Sequence, residues 1–411
     1  GTKVVDWDEG KKKAKSPLID WRPQQPFSVP VGKLSPDQEE AIKEIKAGKG
    51  PFFVTGSAGT GKSFIINFLR QEPGTVVTAT TGIAAQLVKG RTIHSFCSIH
   101  PIHGVVYSPK AAARIRGCRT LIIDEISMAS AELLEQVIER FEFSGYHPKL
   151  IVVGDFMQLP PVEGKFAYES QLWPDFKRLR LTTNHRQADR DFVETLNDLR
   201  LGNVTERVLG LVGERTVPEL PLDCTQLMAY KDMVERMNLQ RLEELPGKSY
   251  CSEWDVRVEK GKQADPSRTR FPQRLRLKPG ARVVLLTNEE DGRWVNGSTG
   301  QVLDVRPDNV SVRLDAGPTV GVGEHEEEVY DGDGKLMYVV RQYPMLLAWS
   351  LTIHKGQGMT IDRVGVDLRG HFAPGMTYVA LSRCRSKEGL YLAGNLSSIQ
   401  THQKALEVCG G

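Results

Sequence analysis

Gly56-Ser57-Ala58-Gly59-Thr60-Gly61-Lys62-Ser63 constrains this chain more than any other stretch. It follows Pro51-Phe52-Phe53-Val54-Thr55, a short apolar strand, and precedes Phe64-Ile65-Ile66-Asn67-Phe68-Leu69-Arg70, which reads as a helix. A glycine-rich turn between strand and helix is the form a triphosphate cradle takes. Glycines let backbone N–H groups close around phosphates, and the helix N-terminus adds the positive end of its dipole. Lys62 then reaches the β- and γ-phosphates and the Ser63 hydroxyl ligates Mg²⁺. All eight residues are therefore nucleotide-binding candidates. A glycine-rich turn that binds nothing is the bland alternative, and the strand and helix on either side argue against it.

The rest of the chain supplies a matching frame. Strands are expected at 51–55, 75–79, 120–124 and 149–153, with helices at 61–70, 82–89 and 130–142. The strands are nearly continuous apolar runs, as in a parallel sheet covered on both faces. Before them, Ser35-Pro36-Asp37-Gln38 opens a helix, with Ser as N-cap, Pro at the first position and Gln three residues after the cap. A helix at 190–201 closes this unit. A second unit begins near Val204, with a helix at 230–245, strands at 282–287, 363–368 and 389–393, and a helix at 375–385. Residues 289–343 change character, with short strands and Asn296-Gly297, Asp331-Gly332 and Asp333-Gly334 turns, the pattern of a small inserted β module. The expected division is a polar extension over 1–33 that packs through Trp7 or Trp21, a first α/β domain over 34–195 with a small insertion at about 95–116, a second over 196–288 and 344–411, and the inserted module over 289–343.

Composition excludes several classes. With 411 residues, 40% apolar and 26% charged, the chain has the make-up of a soluble globular protein of two or three domains. The six cysteines form no Cys-x-x-Cys pair, which fits a reducing compartment. No apolar run approaches membrane-spanning length, and Lys11-Lys12-Lys13 is not followed by the apolar core of a secretory signal. A net charge of +3 says little by itself. Its distribution says more: residues 257–282 hold nine Lys/Arg against two acids, and residues 304–333 hold nine acids against two arginines. Either the basic segment faces a polyanion, or the two segments pair or stay solvated.

Further constellations carry chemistry. Leu121-Ile122-Ile123-Asp124-Glu125 places two carboxylates at a strand's C-terminal end, where open α/β sheets bind ligands. Asp124 is the candidate for holding Mg²⁺, and Glu125 for polarising the water that attacks the γ-phosphate. Gln158, in Gly154-Asp155-Phe156-Met157-Gln158-Leu159-Pro160-Pro161-Val162, is a candidate γ-phosphate sensor. Arg186 and Arg383 are candidate fingers, guanidinium groups that neutralise charge on the transferred phosphoryl. His94, Cys97, His100 and His103 recur at three-residue spacing and could ligate zinc by residue type, but Pro101 interrupts them and the spacing is unusual for zinc.

The ordered set resembles superfamily 1 DNA helicases that move 5′ to 3′, especially the petite-integration-frequency (Pif) family and its RecD-like relatives, from about Leu34 to Gly394. The carriers are Leu34-Ser35-Pro36-Asp37-Gln38, like an adenine-reading Q motif; Thr78 to Ala85 and Gly90 to Phe96, like DNA-contacting motifs; Ile123 to Met128 and Gly154 to Val162, like hydrolysis and sensor motifs; Leu351 to Thr360, like a DNA-gripping motif; and Tyr378 to Arg383, like an arginine-finger motif. The resemblance implies two RecA-like P-loop motor domains with parallel sheets and an inserted small β-barrel near Val295-Asn296-Gly297. Gln38 and Gln357 are then nucleotide contacts, and Thr80, Thr92, His94, Phe96, Asn296, Thr352, His354 and Lys355 are nucleic-acid contacts, with Phe96 stacking on a base. ATP and Mg²⁺ are the implied cofactors. The implied partners are single-stranded and forked DNA, with quadruplex DNA a further candidate, and the implied state is a monomer that can oligomerise on DNA. Direction of travel rests on the resemblance alone.

Two departures stand out. Gly356 occupies a position that is usually Ser, and Phe143 to Lys149 lacks the Pro-Phe-Gly-Gly-like stretch of the eukaryotic branch. The second favours a bacterial or phage member, hence a cytoplasmic one, or a divergent RecD-like one; a eukaryotic member would be nuclear or mitochondrial. Two rivals remain: a non-motor P-loop switch, which needs no nucleic acid, and a translocase or loader that hydrolyses ATP without separating strands.

Overall fold

The computed structural model describes residues 33–100, 104–105, 108–161, 163–185, 189–289, 293–306, 308–330, 336–369, 373–394, 396 and 403–409. Trp7, Trp21, His103, Arg186 and the turns at 331–334 lie outside the described residues.

The first lobe is built on six parallel strands. In spatial order they are Arg91–Thr92, Thr75–Ala79, Thr120–Asp124, Lys149–Gly154, Phe52–Gly56 and Lys177–Leu181. Alternation along the strands feeds two separate cores. Phe53, Leu121, Ile123 and Val152 pack on one face with helix Ala131–Ser144, through Leu133, Leu134, Val137 and Phe141. Phe52, Val54, Ile122, Ile151 and Val153 pack on the other with helices Pro36–Ala47 and Lys62–Leu69. A sheet buried on both sides needs these uninterrupted apolar strands. Helix Pro36–Ala47 starts as its sequence dictates, with the Gln38 side chain accepting the Ser35 N–H at 3.0 Å.

The second lobe carries a four-stranded parallel sheet in the order Ser350–Thr352, Thr225–Met228, Val364–Asp367, Leu390–Ala393. Helices Lys231–Glu244 and Met376–Leu381 belong to it. Helix Arg190–Leu201 joins the lobes. Its Phe192, Leu196 and Leu199 enter the second lobe's core, while Arg200 reaches back to Asp155 of the first.

Three boundaries differ from the sequence expectation. Strand Arg282–Leu285 is not part of the second parallel sheet. It lies inside a five-stranded antiparallel sheet, ordered Thr319–Val322, Val310–Leu314, Thr299–Val305, Arg282–Leu285, Met345–Leu347. The β-rich region also begins earlier, since Tyr250–Glu253 pairs with Arg274–Leu277 and Asp255–Val258 pairs with Leu336–Gln342. Finally, helix Gln403–Cys409 returns to the first lobe. Ala405 and Cys409, four residues apart on one helix face, join the Phe53–Phe156 core, and Arg178 donates to the carbonyls of Glu407 and Val408.

The charged segments pair with each other. Arg257 meets Glu326 at 3.3 Å, Arg270 meets Glu327 at 3.4 Å, and Arg282 meets Asp315 at 2.6 Å. Three of the nine basic residues are thus paired with the acidic segment, while Arg276 and Lys278 meet Glu243 of helix Lys231–Glu244. Among the described residues no helix is long and apolar enough to cross a membrane.

Candidate active site

Strands Thr120–Asp124, Lys149–Gly154 and Phe52–Gly56 lie side by side, so Asp124-Glu125, the 154–158 loop and the glycine-rich loop leave one sheet edge together. Gly59 and Gly61 take φ of +87° and +78°, a left-handed backbone that favours glycine. A Cβ at Gly61 would also displace the Gln38 amide from its place against the loop. Gln38 also donates to the Thr60 carbonyl at 3.4 Å. Asp37 accepts the N–H groups of Thr182 at 2.7 Å and Thr183 at 2.9 Å. Burial works against it, but bonds from Ser35, Thr183 and Thr182 hold its carboxyl well below the usual carboxylate range. The chain beyond laces onto the loop, with Asn184 donating to the Ala58 carbonyl at 2.8 Å and the His185 N–H to the Gly59 carbonyl at 2.7 Å. Arg186 comes next and lies outside the described residues.

A cavity of about 410 Å³ sits over this loop. Lys62, Ser63, Glu125 and Gln158 of the first lobe line it together with Arg383 and Arg385 of the second. Lys62 donates to the carbonyls of Gly56 at 2.7 Å and Ser57 at 2.9 Å. Burial, then the charge of Glu125, pushes Asp124 up to about 7. Burial also raises Glu125, against the pull of Lys62 and Arg383. The Ser63 hydroxyl and the Asp124 carboxylate are the hard oxygen donors that suit Mg²⁺.

Glu125 is held in an unusual way. Its backbone is left-handed, φ 56° and ψ 46°, a conformation that costs a non-glycine residue about 1–2 kcal/mol. The Thr80 hydroxyl donates to its carbonyl at 3.1 Å, and Gln357 of the second lobe donates to its Oε2 at 3.0 Å. Its backbone is thus held from the first lobe and its carboxylate from the second.

Helix Met376–Leu381, which ends two residues before Arg383, docks on the first lobe at its other end. Gly375 (φ +83°) lies so close to the 157–158 backbone that an added Cβ would stand 2.5 Å from the Gln158 carbonyl and 2.7 Å from that of Met157. One turn on, the buried Tyr378 hydroxyl accepts the Ala58 N–H at 2.7 Å. Beside it, Arg200 grips Asp155 bidentately at 2.9 and 2.8 Å. Burial opposes that carboxylate, but Arg200 holds it below its ordinary value. Arg383 is buried, its Nε donating to the Val379 carbonyl at 3.0 Å and a terminal nitrogen to the Ser382 hydroxyl at 3.1 Å. Sequence reasoning had not separated out Tyr378, Asp155–Arg200 or Arg385. Only Arg385 left a signal, as the second arginine of Ser382-Arg383-Cys384-Arg385.

The expected DNA-facing residues divide. Thr92-Ile93-His94 and Thr352-Ile353-His354 repeat one tripeptide at one place in each lobe, ending an edge strand and starting a short helix. Both threonines are N-caps with nearly equal angles, φ −70° with ψ 147° and 148°, accepting from the N–H of Ser95 and of Lys355. Partial burial lowers the pKa of His94 and of His354. Thr80 gives its hydroxyl hydrogen to the Glu125 carbonyl, so a phosphate oxygen near it would be met by the loop's backbone N–H groups. The Asn296 N–H goes to Asn288 at 2.7 Å, on a turn whose Gly297 lies against Met359 and Thr360. Phe96 is a correction: it is 0% exposed, and with Ile93 and Cys97 it forms the core-facing side of its helix, so it cannot stack on a base. The zinc alternative also fails for Cys97. Its thiol sits in the apolar core, where burial pushes it up to about 12. Gly356 is buried, and a Cβ there would face Leu227 at 3.4 Å and Arg383 at 3.9 Å.

Comparison with known proteins matches this geometry. Residues 33–209 fit the PIF1-like helicase family. The ATP-dependent DNA helicase Pif1 of Bdellovibrio bacteriovorus is 36% identical over 404 residues, covering 91% of both chains. The chain belongs to the PIF1-like helicase family. The human ATP-dependent DNA helicase PIF1 is also 36% identical, over 90% of this chain but 62% of its own length. The crystal structure of a double mutant of Bacteroides Pif1 superposes with a TM-score of 0.81 at 27% identity, covering 92% of this chain and 96% of that one. The score is 0.63 for the complex of that helicase with ADP-AlF3 and single-stranded DNA. Pif1 helicases have two RecA-like domains, and the two parallel-sheet lobes here are of that kind.

Proposed function

We infer that this chain is an ATP-dependent DNA helicase that translocates 5′ to 3′ on single-stranded DNA and unwinds duplexes. The observation that carries the reading is the shared cavity: Lys62, Ser63, Glu125 and Gln158 from one lobe, Arg383 from the other. A non-motor switch has no need of a second parallel-sheet lobe that brings an arginine to the first lobe's phosphate loop.

The proposed division of labour follows from the contacts. The amides of Gly59 to Ser63 and the Lys62 ammonium bind the triphosphate, and Gln38, buried and bonded to Ser35 and Thr60, braces the loop beneath it. Mg²⁺, held by Ser63 and Asp124, would neutralise phosphate charge. Glu125 takes a proton from the attacking water, aided by a desolvated site and by Gln357 holding its carboxylate. Arg383 stabilises charge on the transferred phosphoryl, and Arg186 is a second candidate for that role. Nucleotide contacts from both lobes favour a closed cleft, and hydrolysis removes that preference. Thr80 ties the DNA-facing loop to the Glu125 backbone, so a strand on that loop can adjust the catalytic carboxylate. The strand is gripped through its backbone by the 80–82 loop, Thr92, His94, Thr352, His354 and Lys355, which gives weak sequence preference and strong salt dependence. Asn296, on the turn against Thr360, links the β-rich region to the nucleotide side. Forked DNA is the expected unwinding substrate, with quadruplexes and oligomers on DNA as extensions.

Matched duplexes with a 5′ or a 3′ single-stranded tail test the reading. Unwinding of the 5′-tailed duplex alone, dependent on ATP, is expected. Unwinding from the 3′ tail would refute the direction, and ATP hydrolysis indifferent to DNA would favour the switch.

A further inference from the structure

The repeated Thr-Ile-His tripeptide gives the two lobes a common register. In the first lobe Thr92 pairs with Ala79, and the chain after Ala79 runs through Thr80 and Thr81 into helix Gly82–Leu87. In the second lobe Thr352 pairs with Met228, and the chain after Met228 runs through Ala229 and Tyr230 into helix Lys231–Glu244. Counting from the paired residues, Tyr230 occupies the place of Thr81 and Lys231 the place of Gly82. The following turns agree: the Ala85 N–H goes to the Thr81 carbonyl, and the Val234 N–H to the Tyr230 carbonyl. The side chains do not agree. The Thr81 hydroxyl caps its helix by accepting the Ala84 N–H at 3.2 Å, whereas Tyr230 makes no cap bond and is 57% exposed.

We propose that Tyr230 and Lys231 form a nucleotide subsite for single-stranded DNA on the second lobe, the tyrosine ring stacking on one base and the ammonium meeting a phosphate. The proposal rests on the helicase reading above and adds a contact outside the motif stretches named in the sequence analysis. Three observations support it. The subsite is continuous with the Thr352-Ile353-His354-Lys355 grip, because the two strands that end there are neighbours. The two parts are also clamped into one body: Asn238 accepts the Ser350 N–H at 2.9 Å and donates to the Ser350 carbonyl at 2.9 Å, and the Ser350 hydroxyl donates to the Val234 carbonyl. A ring and an ammonium carried on this helix therefore move with the grip when the lobe moves. Charge is the third. Lys355 is half-buried, and burial, then the Lys231 charge, holds its pKa below the ordinary lysine value. The Lys231 ion pair with Glu235, 3.4 Å long and exposed at both ends, is of the weak kind that a phosphate can displace. An exposed aromatic beside two cations is the combination that holds single strands without reading their sequence.

The test is fluorescence anisotropy of the full chain with oligothymidine over a series of salt concentrations. Tyr230→Ala should weaken binding by about fivefold or more while leaving the slope of log affinity against log salt unchanged. Tyr230→Phe should bind as the parent does. Lys231→Ala should reduce the slope by about 0.7, the value for one phosphate contact on a single strand. An abasic site moved along the oligonucleotide should weaken the parent at one position where Tyr230→Ala shows no further loss. Equal binding by parent and Tyr230→Ala overturns the subsite alone. A parent that does not bind single strands overturns the helicase reading and the subsite with it.

Discussion

Gly375→Ala tests how tightly the finger helix is registered against the sensor loop. An added Cβ would stand 2.5 Å from the Gln158 carbonyl oxygen, where ordinary contact begins near 3.4 Å. The obstacle is backbone on both sides, so the helix has to retreat by about 0.9 Å, the gap between those distances. Alanine at φ +83° adds about 1–2 kcal/mol of left-handed strain, which favours the retreat. Arg383 ends the same segment, and a misplacement of about 1 Å can cost on the order of 100-fold in rate. Steady-state ATP hydrolysis with saturating single-stranded DNA should therefore show a kcat lower by about that factor. The KM for ATP should change little, because Lys62, Ser63 and Gln38 are untouched. Circular dichroism and thermal unfolding establish that the variant is folded. A folded Gly375→Ala enzyme with the parent's kcat would refute the claim that this close approach sets the position of the finger.

Other expectations follow from the same contacts. Glu125→Gln should keep nucleotide affinity, measured by titration with a fluorescent analogue, while turnover falls by about 10²–10⁴-fold; equal turnover would remove Glu125 as the base. Arg200→Met should strand the buried Asp155 carboxylate and cost about 3–5 kcal/mol, read as a lower thermal midpoint at pH 7. The sign with pH is fixed by the lowered pKa of Asp155. Its contribution is present above the unfolded carboxylate value, about 3.9, and is lost as pH falls through the folded one. Acidification should therefore destabilise the parent more than Arg200→Met. Gly356→Ser should fold with unchanged stability, since the nearest side-chain atoms to its Cβ stand at 3.4 and 3.9 Å; a large loss of thermal stability would contradict that packing.

Much of the fold was legible because the first lobe obeys local rules. Its central strands Thr120–Asp124, Lys149–Gly154 and Phe52–Gly56 are apolar on both faces, and its phosphate loop needs glycine at two left-handed positions. The same logic misled at Arg282–Leu285. A strand buried at every residue in the middle of an antiparallel sheet has the same apolar run as a parallel strand, and periodicity does not separate them. Phe96 failed for another reason. Motif position suggested an exposed ring, while the spacing of Ile93, Phe96 and Cys97 already marked a helix's inner face. The docking of Gly375 and the Tyr378 bond to Ala58 left no trace in the sequence. A tyrosine in an apolar helix looks like core, and only the apposition of the lobes gives its hydroxyl a partner 320 positions away. The Thr-Ile-His repeat was written in the chain, but its meaning depends on strand register, which pairs each copy with a different neighbour.

The central claim is that nucleotide joins two lobes, the second supplying charge to a reaction held by the first. ATP turnover by Arg383→Ala, with saturating single-stranded DNA and with analogue binding measured in parallel, tests it most directly. The account predicts turnover lower by about 10³-fold or more, with binding largely retained. Turnover close to the parent's would contradict it, leaving the first lobe to hydrolyse ATP alone.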